Sequence, residues 1–269
     1  MGMWSDSLYS VIKEGTDIYF WTYSDDIPYG VGFNQFSITH IIWLVIIIVA
    51  AFAMSCIYKK SDKKKRIIIL RIWGGILLFL IIIRIIILCF QGNMSVYELP
   101  LHLCSLAGIV CFIHSFFMND FWGQVLYSLC LPGTILALIF PNWAYYPAFN
   151  FITFHGFLFH GGIVIYIICG LAGGDIRPSI YNMWKAVVFL IIVLPIVYLI
   201  DMRFNVNYMF LRYPSKASPL EWLEKYMGTS GYLIGYALLT ILVIILINVL
   251  YGVINGFKRR TDKYQRNRR

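Results

Sequence analysis

Histidine, cysteine and arginine residues interrupt several apolar stretches of this sequence. An ionisable group inside an apolar helix is costly, so each such residue is a candidate functional residue by default. A thiol can act as a nucleophile, an imidazole as the base that deprotonates it, and a guanidinium as a clamp for a phosphate or carboxylate. The candidates are His40, Arg84, His102, Cys104, His155 and His160.

The spacing of these residues limits which of them can act together. His102 and Cys104 are two residues apart, which on a helix turns their side chains about 200° from each other. A base for Cys104 is therefore expected from another helix. His155 and His160 stand about 140° apart around their axis, so they cannot easily serve the same point. Either histidine can also be explained by a hydrogen bond to a neighbouring carbonyl.

Metal binding is a rival use for the same set of histidines and cysteines. No pair among them has the i, i+4 spacing of zinc ligands, and no carboxylate clearly joins them. We therefore expect neither a metal ion nor another cofactor. The six cysteines all fall within or at the ends of apolar runs, which indicates free thiols rather than a disulfide framework.

The composition places these residues in a membrane protein. Hydrophobic residues make up 60% of the chain and charged residues 13%, which leaves too little polar surface for a water-soluble fold. Runs such as IIWLVIIIVAAFAM are apolar on every side, as spanning helices are. The sequence predicts an all-α, polytopic membrane protein with seven transmembrane helices. The predicted spans are 38–58, 67–90, 101–117, 121–140, 148–172, 184–200 and 231–254.

The distribution of Lys and Arg predicts the orientation. Residues 59–66 and the tail after Gly256 are strongly basic, and such segments lie in the cytoplasm. The prediction is an extracytoplasmic N-terminal segment at 1–37, a seven-helix membrane domain at 38–256 and a basic cytoplasmic tail at 257–269, with the N-terminus outside. The basic residues after the sixth span argue the other way. Since the net charge of +9 concentrates beside spans, it favours anionic headgroups rather than nucleic acid as the partner.

This orientation gives the candidate residues a common depth. Arg84 lies about 9 Å from the outer end of its span, where it can either extend to the headgroups or bind a phosphate. His40, His102, Cys104 and His155 belong to the same outer half, and so does the segment containing Asn207 and Tyr208. The shared depth predicts a single polar site.

Several segments resemble the YwaF-like family of bacterial integral membrane proteins. They are GFNQFSITHI, LPLHLCSL, LPGTILALIFP, FHGGIVIY and NVNYMFL. That family is similar to a eukaryotic transmembrane family implicated in acyl transfer onto glycerophospholipids through a proposed Cys/His pair. The resemblance implies the bacterial cytoplasmic membrane, Cys104 as nucleophile or acyl carrier, and His160 as its base. Counted along the predicted helices, however, His160 is about 18 Å deep, Cys104 about 6 Å and His155 about 10 Å, so His155 remains a competitor.

Two functional hypotheses follow. The first is a membrane-embedded lipid acyltransferase or thioester-forming lipid hydrolase with an outward-facing cavity, whose partners are phospholipid acyl donors and acceptors. In it Arg84 binds phosphate, and His40, His102, Asn207 and Tyr208 bind or orient the substrate. The second is a non-enzymatic transporter, flippase or membrane-complex subunit, in which the same polar residues line a path. The sequence alone does not choose between them, nor does it specify an oligomeric state.

Overall fold

The computed structural model describes residues 19–215, 218 and 220–266, and this part of the chain is helical without strands. The first 18 residues and the last three, which belong to the predicted N-terminal segment and basic tail, lie outside the described residues. The all-α prediction is confirmed. The long helices are α1 (Ile38–Lys60), α2 (Lys63–Phe90), α3 (Leu103–Phe117), α4 (Asp120–Ile139), α5 (Phe151–Gly173), α6 (Trp184–Phe204) and α7 (Leu220–Arg266).

Six of these helices are long and apolar enough to cross a membrane, as judged by length and composition. The protein is therefore a multi-pass membrane protein. The exception is α3, whose 15 residues span about 22 Å, whereas the hydrocarbon layer is about 30 Å thick. Whether α3 also crosses decides between six and seven spans.

Polar residues set the ends of several helices. Asp62, Asn119 and Asn150 each accept a hydrogen bond from a backbone N–H in the first turn of the helix that follows. These bonds satisfy donors that the helix itself leaves unpaired. Gly174 ends α5 with a φ of 75°, a left-handed conformation that glycine adopts without strain.

The helix α5 lies at the centre of the bundle. In an apolar stretch of 18 residues within α5, 72% is buried, against 17% for the corresponding stretch of α1 and 22% for that of α2. Two consecutive glycines make close packing possible: a Cβ on Gly161 would lie 2.8 Å from Ile47 of α1, and one on Gly162 would lie 2.9 Å from Leu77 of α2. The glycines of FHGG therefore let α5 fit between its neighbours.

The helix α4 contains a π-helical turn at Leu126–Cys130. The turn is joined to α7 by a buried network, in which the Gln124 amide donates to Ser128 and Asn248 at 2.7 Å each, and Asn248 donates to Ser128 at 2.8 Å. Because buried amides require such partners, the network fixes α7 against α4.

The loops gather on two opposite faces of the bundle. On one, called here the Glu98 face, segments 19–37, 91–102, 140–150 and 205–213 contact one another; the Tyr208 hydroxyl, for example, donates to the Val96 carbonyl. On the other, the Asp175 face, the Tyr58 hydroxyl donates to Asp175 at 2.8 Å and Arg66 lies 3.6 Å from the same carboxylate. Successive loops alternate between the two faces, so α3 runs from one face to the other like the longer helices.

Candidate functional site

Cys104 lies in the first turn of α3, close to the Glu98 face. The helix begins at Leu103, and His102 precedes it with extended backbone angles (φ −66°, ψ 151°) and no side-chain capping bond. The Cys104 sulfur therefore lies beside the backbone N–H groups of Cys104 and Ser105, which have no carbonyl partner within the helix. Because His102 is outside the helix, the expected separation of about 200° between His102 and Cys104 does not apply.

His102 is held by the loop that follows α6. Its Nδ1 accepts a hydrogen bond from the Met209 backbone N–H at 3.3 Å, so the proton of the neutral ring is on Nε2. The rings of Tyr97, Tyr208 and Phe210 surround the imidazole at centroid distances of 6.2, 5.0 and 5.8 Å. The orientation of the ring and its tautomer are thus both fixed by neighbours.

Asn207 and Tyr208 shape this loop. Asn207 accepts from the Arg212 backbone N–H at 3.0 Å and donates to the Tyr213 carbonyl at 2.9 Å. The Tyr208 backbone N–H donates to the buried Asp201 carboxylate at 2.8 Å. Burial raises the pKa of the Tyr208 hydroxyl to about 12, so it remains protonated as a donor. These bonds stabilise the loop whose Met209 N–H contacts His102, and substrate binding by Asn207 and Tyr208 stays a prediction.

Arg84 pairs with a carboxylate that sequence reasoning missed. Its Nη2 contacts Glu98, which is 5% exposed, and the Tyr23 hydroxyl donates to the other oxygen of the same carboxylate. Burial and the hydrogen bond to Glu98 raise the pKa of Tyr23. The other guanidinium nitrogens of Arg84 have no hydrogen-bond partner among the described residues. Glu98 stands at the same level as Arg84. Acidic residues are common in loops next to spans, so the sequence does not mark Glu98 as a site residue.

The two histidines of α5 each have one ring nitrogen without a hydrogen-bond partner in the part of the chain that the structure describes. His160 donates from Nδ1 to the Gly156 carbonyl at 2.7 Å and stacks on Trp143 at a centroid distance of 4.7 Å. His155 donates from Nε2 to the Leu80 carbonyl at 3.0 Å. Since a carbonyl can only accept, the remaining nitrogen of each neutral ring carries a lone pair.

The surroundings of these histidines differ. His155 lines an apolar cavity of about 380 Å³ between α2 and α5, together with Phe20, Leu80, Phe149, Phe151, Phe154 and Leu158. Phe159, next to His160, packs on α3, since a Cβ on Gly108 would lie 2.8 Å from its ring. Gly108 is one helical turn beyond Cys104, so His160 is nearer in depth to Cys104 than counting along the helices indicates.

Five predicted site residues lie in one region. Arg84 is within electrostatic range of His102, Cys104 and His155, and His160 is within range of His102 and His155. Among the described residues, no group of three or more histidine, cysteine or acidic side chains is placed to hold a metal ion. The arrangement therefore offers a thiol, bases and a cation.

His40 stands apart from this region. It is fully buried among Phe33, Phe36 and Phe157. Its Nδ1 accepts from the Phe36 backbone N–H at 2.9 Å and its Nε2 donates to the Leu138 carbonyl at 2.7 Å. With both nitrogens in use, His40 joins α1 to the end of α4.

Residues 35–250 match the TMEM164 family, which covers most of the chain and every residue of the site except Tyr23. The chain belongs to the TMEM164 family. This is a transmembrane protein family, in agreement with the apolar helices described above. The family match therefore includes Cys104, Arg84 and both histidines of α5. No curated protein and no solved structure matches the chain.

Proposed function

We propose that this protein is a membrane-embedded enzyme that transfers an acyl group from one lipid to another, or to water, through a thioester on Cys104. The observation that carries the proposal is the position of the Cys104 sulfur, in the first turn of α3 beside free backbone N–H groups. Burial opposes ionisation of the thiol, so a base must take its proton, and the helix N-terminus then stabilises the thiolate that forms. Arg84 adds a positive charge within electrostatic range.

The reaction has two steps. In the first, a histidine takes the thiol proton while the sulfur attacks the ester carbonyl carbon of a phospholipid; the carbon–oxygen bond then breaks and the histidine returns the proton to the leaving alcohol. In the second, the hydroxyl of a lysolipid, or water, gives its proton to the same histidine and attacks the thioester. The thiolate leaves and takes the proton back from the histidine, which regenerates the enzyme.

His160 is the proposed base, with His155 as the competitor. Its Nε2 has a lone pair because Nδ1 donates to Gly156, and the stacked Trp143 ring fixes the imidazole plane. The packing of Phe159 on Gly108 supports a similar depth for His160 and Cys104. His155 also has a free lone pair, but it faces an apolar cavity suited to a hydrocarbon chain.

The free guanidinium nitrogens of Arg84 are proposed to bind the lipid phosphate. Glu98 holds the side chain in place from the opposite side. His102, Asn207 and Tyr208 are proposed to orient the site, and His40 supports it from the packing of α1. No resident cofactor is needed for this chemistry, because the thiol and the imidazole are the chain's own.

Seven spans with the N-terminus outside remain the proposed topology. The alternation of loops between the Glu98 and Asp175 faces supports a crossing by α3. The basic loop at 59–66 lies on the Asp175 face, which the positive-inside rule assigns to the cytoplasm. The site then opens to the outer leaflet of a bacterial cytoplasmic membrane, as the YwaF-like resemblance implies. Transfer between lipids is favoured there, since soluble activated donors are cytoplasmic.

Intact-mass spectrometry tests the proposal. Purified protein is incubated with vesicles of phosphatidylethanolamine and phosphatidylglycerol, and the wild type is compared with Cys104→Ala. The matched control is Cys89→Ala, because Cys89 is an exposed cysteine at the end of α2. We expect a hydroxylamine-sensitive acyl adduct in the wild type and the control that is absent from Cys104→Ala. Two results contradict the proposal and favour a lipid transporter: an adduct that persists in Cys104→Ala, or no adduct on any of the three proteins.

A further inference from the structure

We propose that His102 is the residue that stabilises the oxyanion of the acyl-transfer reaction, by donating the hydrogen on Nε2 to the acyl carbonyl oxygen. The inference rests on the proposed function. It assigns to His102 a different role from that of His160, although both are histidines within electrostatic range of each other.

The tautomer of His102 carries the assignment. The Met209 backbone N–H points at Nδ1 with a donor–acceptor distance of 3.3 Å. A backbone N–H cannot accept, so a hydrogen on Nδ1 would face another hydrogen. The neutral ring therefore keeps its proton on Nε2 and has no lone pair there. A general base needs that lone pair, whereas an oxyanion donor needs the proton.

The loop at 205–213 makes this donor rigid. Met209 and Phe210 have φ values of 53° and 58°, which are unfavourable for residues other than glycine. The conformation is held by the bond from Tyr208 to Asp201 and by the Tyr232 hydroxyl, which donates to the Phe210 carbonyl at 2.7 Å. Strained backbone that persists under such constraints is typical of functional sites.

The position of His102 fits the same role. It immediately precedes α3, so its ring and the free N–H groups of Cys104 and Ser105 belong to one short segment. When the sulfur bonds to the carbonyl carbon, the electron pair of the C=O π bond moves to the oxygen. The proposal places that oxygen between the Nε2–H of His102 and the backbone N–H groups of Cys104 and Ser105. When the intermediate collapses, the pair returns and the lipid alcohol leaves.

The test compares two reactions of the same thiol. Acylation by p-nitrophenyl decanoate passes through an oxyanion and releases p-nitrophenolate, whereas alkylation by iodoacetamide involves no oxyanion. Both rates are measured in a Cys56→Ser/Cys89→Ser background, which removes the exposed thiols. The variants are His102→Ala, which removes the donor, and His102→Gln, whose amide N–H can replace it.

We expect His102→Ala to lower the acylation rate about 10²- to 10³-fold, as the loss of one oxyanion donor does in other enzymes. Alkylation of Cys104 should change little, and His102→Gln should recover most of the acylation rate. An equal fall in both rates would mean that His102 activates the thiol, and an unchanged acylation rate would mean that it has no catalytic role; either result overturns the proposal. Failure of the proposed function looks different, because the background protein itself would then be alkylated but not acylated.

Discussion

The hydrogen bonds of the histidines separate them by the chemistry that each can still perform. His40 uses both nitrogens, His102 keeps a donor, and His155 and His160 each keep a lone pair. These differences follow from the backbone groups around each ring rather than from the histidines themselves. In the sequence these four of the five histidines are similar candidates, but the structure gives them three different capacities.

Replacing each base candidate by glutamine tests this division. We expect His160→Gln to slow formation of the Cys104 adduct about 10²- to 10⁴-fold, the usual contribution of a general base. His155→Gln should have a clearly smaller effect, because it removes a wall of the apolar cavity and not the proton acceptor. The measurement is the rate of adduct formation against pH, followed by mass. A larger loss in His155→Gln would assign the base to His155 instead.

The pair between Arg84 and Glu98 predicts a coupled effect on stability. Glu98→Ala removes the partner of a largely buried cation, and we expect a loss of about 1–3 kcal/mol in the free energy of unfolding. The double variant Arg84→Leu/Glu98→Leu should recover much of it, since neither charge then remains unpaired. Unfolding in mixed micelles measures both, with the exposed Glu221→Ala as control. A double variant at least as unstable as Glu98→Ala would show that the unpaired charge is not what destabilises the protein.

Residue chemistry could be predicted from the sequence wherever a polar group interrupts an apolar run. Arg84, Cys104 and the α5 histidines were found in this way, and the structure brings them into one region. Glu98 and Asp201 could not be found, because acids at the ends of spans are ordinary and their burial depends on loops that fold back onto the bundle.

At the scale of elements, apolar runs predicted where the helices are but not how they begin or bend. The third helix begins at Leu103 rather than at residue 101, which frees His102 from helical geometry. The last helix begins at Leu220, with a break at Gly228. Hydropathy gives the length of an apolar run but not which backbone groups hydrogen-bond within the helix. The π turn at Leu126–Cys130 therefore could not be predicted from the sequence.

The close packing of α5 predicts opposite effects for two helical glycines. A Cβ on Gly156 would lie 2.6 Å from the Trp143 ring, which stacks on His160, whereas one on Gly75 would meet nothing within 4 Å. Gly156→Ala should therefore cost about 1–3 kcal/mol of stability and slow adduct formation. Gly75→Ala should stabilise by about 0.5–1 kcal/mol because alanine favours a helix. Unfolding midpoints and adduct rates are measured together; a neutral Gly156→Ala would show that Trp143 moves freely.

At the scale of the whole molecule, the membrane class followed from composition alone, and the family match at residues 35–250 agrees with it. The apolar runs predict seven crossings, whereas six helices of the structure are long and apolar enough to cross, because α3 has only 15 residues. The seventh crossing stays a prediction, which the alternation of the loops between the Glu98 and Asp175 faces supports.

The topology can be tested by labelling introduced cysteines in intact cells. In a Cys56→Ser/Cys89→Ser/Cys104→Ser background, which leaves only the buried cysteines Cys111, Cys130 and Cys169, Ser95→Cys places an exposed thiol on the Glu98 face and Lys64→Cys places one in the basic loop on the Asp175 face. If the positive-inside rule holds, a membrane-impermeant maleimide should label Ser95→Cys in intact cells and Lys64→Cys only after permeabilisation. The reverse pattern would turn the site towards the cytoplasm. Acyl-CoA would then be within reach of Cys104, and transfer between lipids would lose its advantage over transfer from a soluble donor.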